Sequence, residues 1–179
     1  LFTATGVGTA QSFDVETVVI KFHMDFDQRL TELGIYPGSP AMPVANYLPW
    51  RIQGSTLYLS GMIPLRDGSP LYTGRIGDEL SVEQGQECAR QCVINALGWM
   101  KIALGGSLNR LEAILRIRGF VACPAGFGQQ PQVINGASDL LVEIFGDAGR
   151  HTRAAVGSVA LPLNVPVEID FTLAIRQDA

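Results

Sequence analysis

The chain has 179 residues, 47% of them hydrophobic and 17% charged, with a net charge of −4 and a pI near 5.1. This length suits one domain with a true core. The acidic balance, with lysine only at Lys21 and Lys101, excludes the basic field of a general nucleic-acid binder. No apolar run reaches membrane-spanning length, and a mean hydropathy of +0.21 is high for so small a surface, so part of that surface is expected to be hidden between subunits.

Three cysteines, Cys88, Cys92 and Cys123, cannot complete a disulfide set, and Cys88 and Cys92 lack the second ligand pair of a zinc site. They read as reduced packing thiols of a cytoplasmic protein, and the start of the sequence lacks the basic and apolar regions of a secretory signal. No metal or cofactor is expected.

In chain order, residues 1–23 begin small and polar and continue as Phe13-Asp-Val-Glu-Thr-Val-Val-Ile-Lys-Phe22, a weakly alternating, strand-like stretch. Met24 stands where a compact domain would begin. Residues 1–23 are therefore expected to be an upstream extension, natural or introduced for expression, and 24–179 a single domain. A short helix is expected over Asp25–Leu33, with Phe26, Leu30 and Leu33 on one face and Gly34 as its stop. A Pro-rich connector follows, then strands over Leu48–Gln53 and Thr56–Ile63 with Gly54-Ser55 as the turn between them. Pro64–Asp78 reads as a loop in which Asp67-Gly68 is a turn and not a metal loop, since no further acidic ligands follow at the required spacing.

The clearest element is a helix over Ser81–Leu104. Ser81 and Gln84 form a capping box, Ala89, Val93, Ala96, Leu97 and Met100 mark its apolar face, and Gly105-Gly106 ends it. Leu111–Cys123 reads as a strand with Arg116 and Arg118 on one face and Leu115 and Ile117 on the other. A second helix is expected over Pro131–Phe145. Finally Gly149–Ala174 reads as a hairpin, two apolar strands joined by Leu161-Pro-Leu-Asn-Val-Pro166. Arg153 opens its first strand and Glu168 sits early in its second. The order (α)ββαβαββ implies an α+β fold, a mixed sheet with both helices on one face and an open face suited to oligomer contacts.

Arg153 is the residue that asks for an explanation. A guanidinium among apolar neighbours needs an anion, and its planar fork matches a carboxylate. That carboxylate is either Glu168 or Asp170, in a structural ion pair, or it belongs to a ligand. His151, two residues earlier, reads as a solvated loop histidine, and Arg116 and Arg118 as a solvated or subunit-facing pair.

Several segments together resemble the RidA/YjgF family of reactive-intermediate (imine) deaminases, also known as L-PSP endoribonuclease-like proteins, in its longer YjgF-like branch. The resemblance runs from about residue 25 to the C-terminus. It is carried by Pro43-Val-Ala-Asn-Tyr47, Leu59-Ser-Gly61, Leu80-Ser-Val-Glu83, Val133 to Leu140, Glu143-Ile-Phe-Gly146, and Gly149-Arg-His-Thr-Arg153 through Leu161-Pro162 to Val167-Glu-Ile169. It implies a chorismate-mutase-like fold, a homotrimer and clefts between adjacent subunits. By the same resemblance Arg153 binds the substrate carboxylate, Glu168 positions water, Tyr47 borders the cleft, Gly61 lends backbone contacts to the substrate, and Asn135 lies near the position of a cleft asparagine.

The chain departs from the common family pattern at Ala155, where many members carry cysteine, and at Met62, where many carry glutamine. Both changes make the pocket more apolar. The activity implied is hydrolysis of an enamine or imine acid to a 2-keto acid and ammonia, needing one activated water and no metal or cofactor. Two rivals stand beside it: a non-catalytic trimer that binds small carboxylates or a protein partner, and an endoribonuclease, which the acidic charge disfavours.

Overall fold

The computed structural model describes residues 24–38, 40 and 45–177. The extension at 1–23, its strand-like stretch, and Pro43 and Val44 lie outside the described residues.

The first helix, α1 (Phe26–Glu32), is capped by Asp25, whose carboxylate accepts from the amides of Asp27 and Gln28. Its buried Phe26 meets Phe145 edge to face, the ring centroids 4.9 Å apart. Next come β1 (Trp50–Gln53) and β2 (Thr56–Met62), joined by the expected turn at Gly54-Ser55. The stretch read as a loop contains a small hairpin, β3 (Leu65–Arg66) and β4 (Ser69–Pro70), turning at Asp67-Gly68 with both residues at positive φ. The long helix α2 (Val82–Ala103) has the full capping box at Ser81 and Gln84, worth about 1 kcal/mol to the helix start.

Then β5 (Leu111–Ala122), α3 (Gln130–Phe145), β6 (Thr152–Ser158) and β7 (Val167–Ile175) complete the chain. Five strands form one sheet in the order β1-β2-β7-β5-β6. The expected α+β architecture is present: a mixed sheet whose helix-facing side is closed by α2 and α3. Ile114, Ile117, Val121, Ile169, Phe171 and Leu173 from the sheet meet Val93, Leu97, Ile134, Ala137 and Leu141 from the helices in one core. The two helices approach closely because Gly136 has no side chain; a Cβ there would run into the backbone of Gln86.

Two readings are corrected. The stretch Gly149–Ala174 is not a hairpin. The helix α3 carries the chain back to the end where β5 began, so β6 pairs parallel with β5, and β7 then inserts antiparallel between β5 and β2. Residues 159–166 cross from the sheet edge to its centre, with Leu163 and Asn164 at positive φ.

The second correction concerns Leu115, which does not share the buried face of Ile117. Pairing with β7 shifts between Ile114 and Arg116, a bulge that leaves Ile114 and Ile117 buried and Leu115 43% exposed.

Candidate functional site

Strand alternation assigns each predicted residue to a face. On β7 the odd positions 167–175 are buried under the helices, so Glu168 and Asp170 look out from the open side. On β6, Arg153 is level with the buried Ile117, and Ala155 with Gly119, whose missing Cβ would meet Ile134 of α3. Arg153 therefore lies on the helix side, at the sheet's edge strand. Glu168 and Arg153 are on opposite faces, two strand spacings (about 10 Å) apart across the sheet and offset by three residues along it, Glu168 being level with Val156. One copy of the chain does not bring them together.

The surroundings of Arg153 are uncharged. Its Nη1 donates to Ser138 Oγ at 2.9 Å and its Nη2 to the Pro131 carbonyl at 3.4 Å, both on α3. Asn135 lies between these contacts in sequence, at helical spacing from each, and so shares the α3 face that the guanidinium crosses. Among the described residues no carboxylate is within ion-pair distance of Arg153. Asp170, one of the expected partners, is held instead by Arg118, with Nη2 to Oδ2 at 2.7 Å. Arg116 and Arg118 are exposed on the open face, as read from the strand pattern.

His151 departs from the expectation of a solvated loop residue. It is partly buried, with Nδ1 2.6 Å from the Gly149 carbonyl and Nε2 3.0 Å from Ser138 Oγ. Burial, and to a lesser extent the Arg153 charge, hold its pKa below the ordinary histidine value. Ser138 was missed by sequence reasoning. A serine in mid-helix carries no pattern signal, and the one clue was the His-x-Arg spacing at 151–153.

The other residues gather around the start of the sheet. Glu168 is half-buried, and burial, with a smaller push from the charge of Asp170, raises its pKa above the usual glutamate value. Its side chain lies directly over Gly61, where any Cβ would collide with the carboxylate. Gly61 sits at an irregularity of the β2–β7 pairing between Leu59 and Met62. Ser60 ties the preceding turn to β2, its hydroxyl donating to the Leu48 carbonyl at 2.7 Å and its amide to the Pro49 carbonyl at 3.0 Å. This holds the exposed Tyr47 beside Gly61, and both line a cleft of about 530 Å³ with Met62, Trp99 and Asn95. Asn95 is itself committed to the fold, donating to the Ile63 and Leu65 carbonyls at 2.8 and 3.0 Å.

The predicted residues thus fall into two groups: Tyr47 and Gly61 on one cleft, with Glu168 against Gly61 on the open face, and Arg153 and Asn135 at the far edge. Cys88, Cys92 and Cys123 are free and buried, and burial pushes the Cys88 thiol up to about 12, which leaves it inert as a nucleophile. Among the described residues no three His, Cys, Asp or Glu side chains converge as a metal set, and no helix is long and apolar enough to cross a membrane.

The sheet order, the two covering helices and the sequence pattern define a known class. The family described as "YjgF/chorismate_mutase-like, putative endoribonuclease" matches residues 27–172, and the chain belongs to it. It is similar to Protein TCP17 of Trypanosoma cruzi, 39% identical over 148 residues that make up 82% of this chain and 92% of that protein. Among solved structures it is similar to protein Atu1372 of Agrobacterium tumefaciens, described as of unknown function. There the identity is 41% and the TM-score 0.77, over 85% of this chain and 94% of that one. E. coli TdcF, solved with bound serine, shares the fold with 21% identity and a TM-score of 0.55, over 80% of this chain and 98% of that one.

Proposed function

We propose that the protein is a hydrolytic deaminase of enamine or imine carboxylic acids, acting at a site that one copy begins and a neighbouring copy completes in a homotrimer. One observation carries the reading: Arg153 is framed by a neutral hydroxyl and a carbonyl, and among the described residues no carboxylate lies within ion-pair distance of it, Asp170 being bound to Arg118 on the other face. Such a guanidinium keeps its Nε–H and the second hydrogens of Nη1 and Nη2 for a ligand, and these match a carboxylate. TdcF, which has this fold, was solved with serine, a ligand bearing a carboxylate.

In this reading Arg153 holds the substrate carboxylate and sets the imine carbon before Glu168 of the adjoining copy. Glu168, its pKa raised by burial, accepts a proton from water as the water oxygen bonds to the carbon of the protonated imine. Glu168 passes that proton to the carbinolamine nitrogen, then takes the hydroxyl proton as the C–N bond breaks and the C=O bond forms, so that ammonia and the 2-keto acid leave and the second proton returns to solvent. Gly61 leaves room for the Glu168 carboxylate, and Tyr47 with Asn135 borders the substrate. Met62 and Trp99 in the cleft favour substrates with an apolar side chain over the smallest acids.

The test is keto-acid release from enzymatically generated imines, with and without the protein. Acceleration that disappears in Arg153→Ala supports the assignment, and full activity in that variant overturns it. Binding of 2-keto acids without turnover on a panel of imines would leave the non-catalytic carboxylate binder as the better account, which the apolar Ala155 and Met62 suit equally well. Salt-sensitive RNA cleavage by the purified protein would favour the endoribonuclease, against its net charge of −4.

A further inference from the structure

Ser138 and His151 have no part in the reaction described so far, yet they form an ordered chain with Arg153. The Gly149 carbonyl can only accept, so the His151 Nδ1 beside it carries a proton. In the neutral ring Nε2 is then the acceptor, and the Ser138 hydroxyl must donate to it. The serine's remaining lone pairs face the Arg153 Nη1 hydrogen. Every donor points the same way, from Arg153 through Ser138 and His151 to the backbone. Protonation of His151 reverses one link: Nε2–H donates to Ser138, Ser138 accepts from both neighbours, and its own hydrogen is released.

We propose that Arg153, Ser138 and His151 form a single carboxylate-binding unit in which His151 takes up a proton as the anion binds and Ser138 turns its hydroxyl onto that anion. This rests on the reading of Arg153 as a carboxylate clamp. Two effects act in the same direction. An anion on Arg153 cancels the positive charge that opposes protonation of the His151 ring, and the protonated ring frees a further donor for the anion. By reciprocity, carboxylates bind more tightly as pH falls through the histidine's titration.

Few other charges intrude. Arg150 and Asp147, just ahead of His151, pair with each other at 3.2 Å. Glu143 of α3 pairs with Arg90 of α2 at 3.2 Å, while Asp139 of α3 and Arg116 of β5 are exposed.

The experiment is calorimetric titration of the full chain with pyruvate between pH 5.5 and 7.5, in buffers of differing ionisation enthalpy, beside 15N NMR of the histidine rings. The expected wild-type result is proton uptake on binding and an affinity rising roughly 3- to 10-fold towards pH 5.5. In His151→Gln uptake should vanish and the pH profile flatten. Ser138→Ala should bind about 5-fold more weakly, and Ser138→Thr, which keeps the hydroxyl, should restore most of the loss.

Pyruvate binding without proton uptake, or an Nε2–H tautomer for neutral His151, overturns this inference and leaves the Arg153 clamp standing. No pyruvate binding by the wild type, or binding unchanged in Arg153→Ala, overturns both.

Discussion

Arg118 and Arg153 stand on neighbouring parallel strands, one register step apart, and their surroundings could hardly differ more. Arg118 looks out from the open face of the sheet, where Asp170 on the next strand satisfies it through Nε and Nη2. Arg153 looks towards the helices and meets a serine hydroxyl and a main-chain carbonyl. One cation is neutralised by the fold, and the other is positioned by it without being neutralised. An arginine whose geometry is fixed by neutral acceptors retains its attraction for an anion from outside, because hydrogen bonds to carbonyls and hydroxyls orient a charge and do not cancel it.

The largest test of that contrast is Arg153→Ala, expected to cut kcat/KM for imine hydrolysis by at least about 100-fold through loss of the carboxylate anchor. Arg118→Ala should change it by less than about 5-fold. A sharper version mixes Arg153→Ala and Glu168→Gln chains, unfolded and refolded together. If each site takes its arginine from one copy and its glutamate from another, random mixing should restore about a quarter of wild-type activity. Activity no greater than that of either variant alone would place both groups in separate sites.

Smaller effects probe the Glu168 side. Gly61→Ala forces the Glu168 carboxylate aside and should cost about 1–3 kcal/mol in a denaturant titration. The double variant Gly61→Ala/Glu168→Ala should recover much of that loss, since the clash is between these two residues.

Glu168 also imposes a pH dependence. Its folded pKa lies above the ordinary 4.5, so the contribution it makes to stability is fully present below that value and is lost as pH rises through the raised one. At pH 7, Glu168→Gln should therefore melt slightly higher than wild type, and the two should converge as pH falls below the ordinary glutamate value. Arg118→Ala should give the smallest change, a shift in Tm of about 2 °C or less, since its ion pair is largely exposed.

Much of the framework could be read from local pattern. The capping box at Ser81 and Gln84, the paired glycines at 105–106 and the apolar stripe between them mark α2 in sequence as clearly as in space. The partnership of β6 and β7 could not be read the same way. Two apolar strands with a Pro-Asn turn between them look like a hairpin, and only the direction in which α3 returns the chain makes β6 parallel to β5. Leu115 misled for a related reason, since a bulge breaks the alternation that parity counting assumes.

At the site, Arg153 and Glu168 stood out as charges in apolar strands, whereas their assignment to opposite faces depended on that same misread pairing. Ser138 is legible only in three dimensions. Nothing in Gly136-Ala-Ser-Asp139 announces that its hydroxyl links a histidine and an arginine from another element.

The position of β7 in the middle of the sheet bears on how the protein is made. During synthesis β2 and β5 leave the ribosome well before β7, and until it arrives each has a bare edge where β7 belongs. The nascent chain must carry two unpaired, apolar strand edges through translation of α3 and β6, a state open to pairing with other nascent chains. Ribosome-stalled chains ending before Val167 should therefore depend on chaperones, and that dependence should end once Ile175 has cleared the exit tunnel.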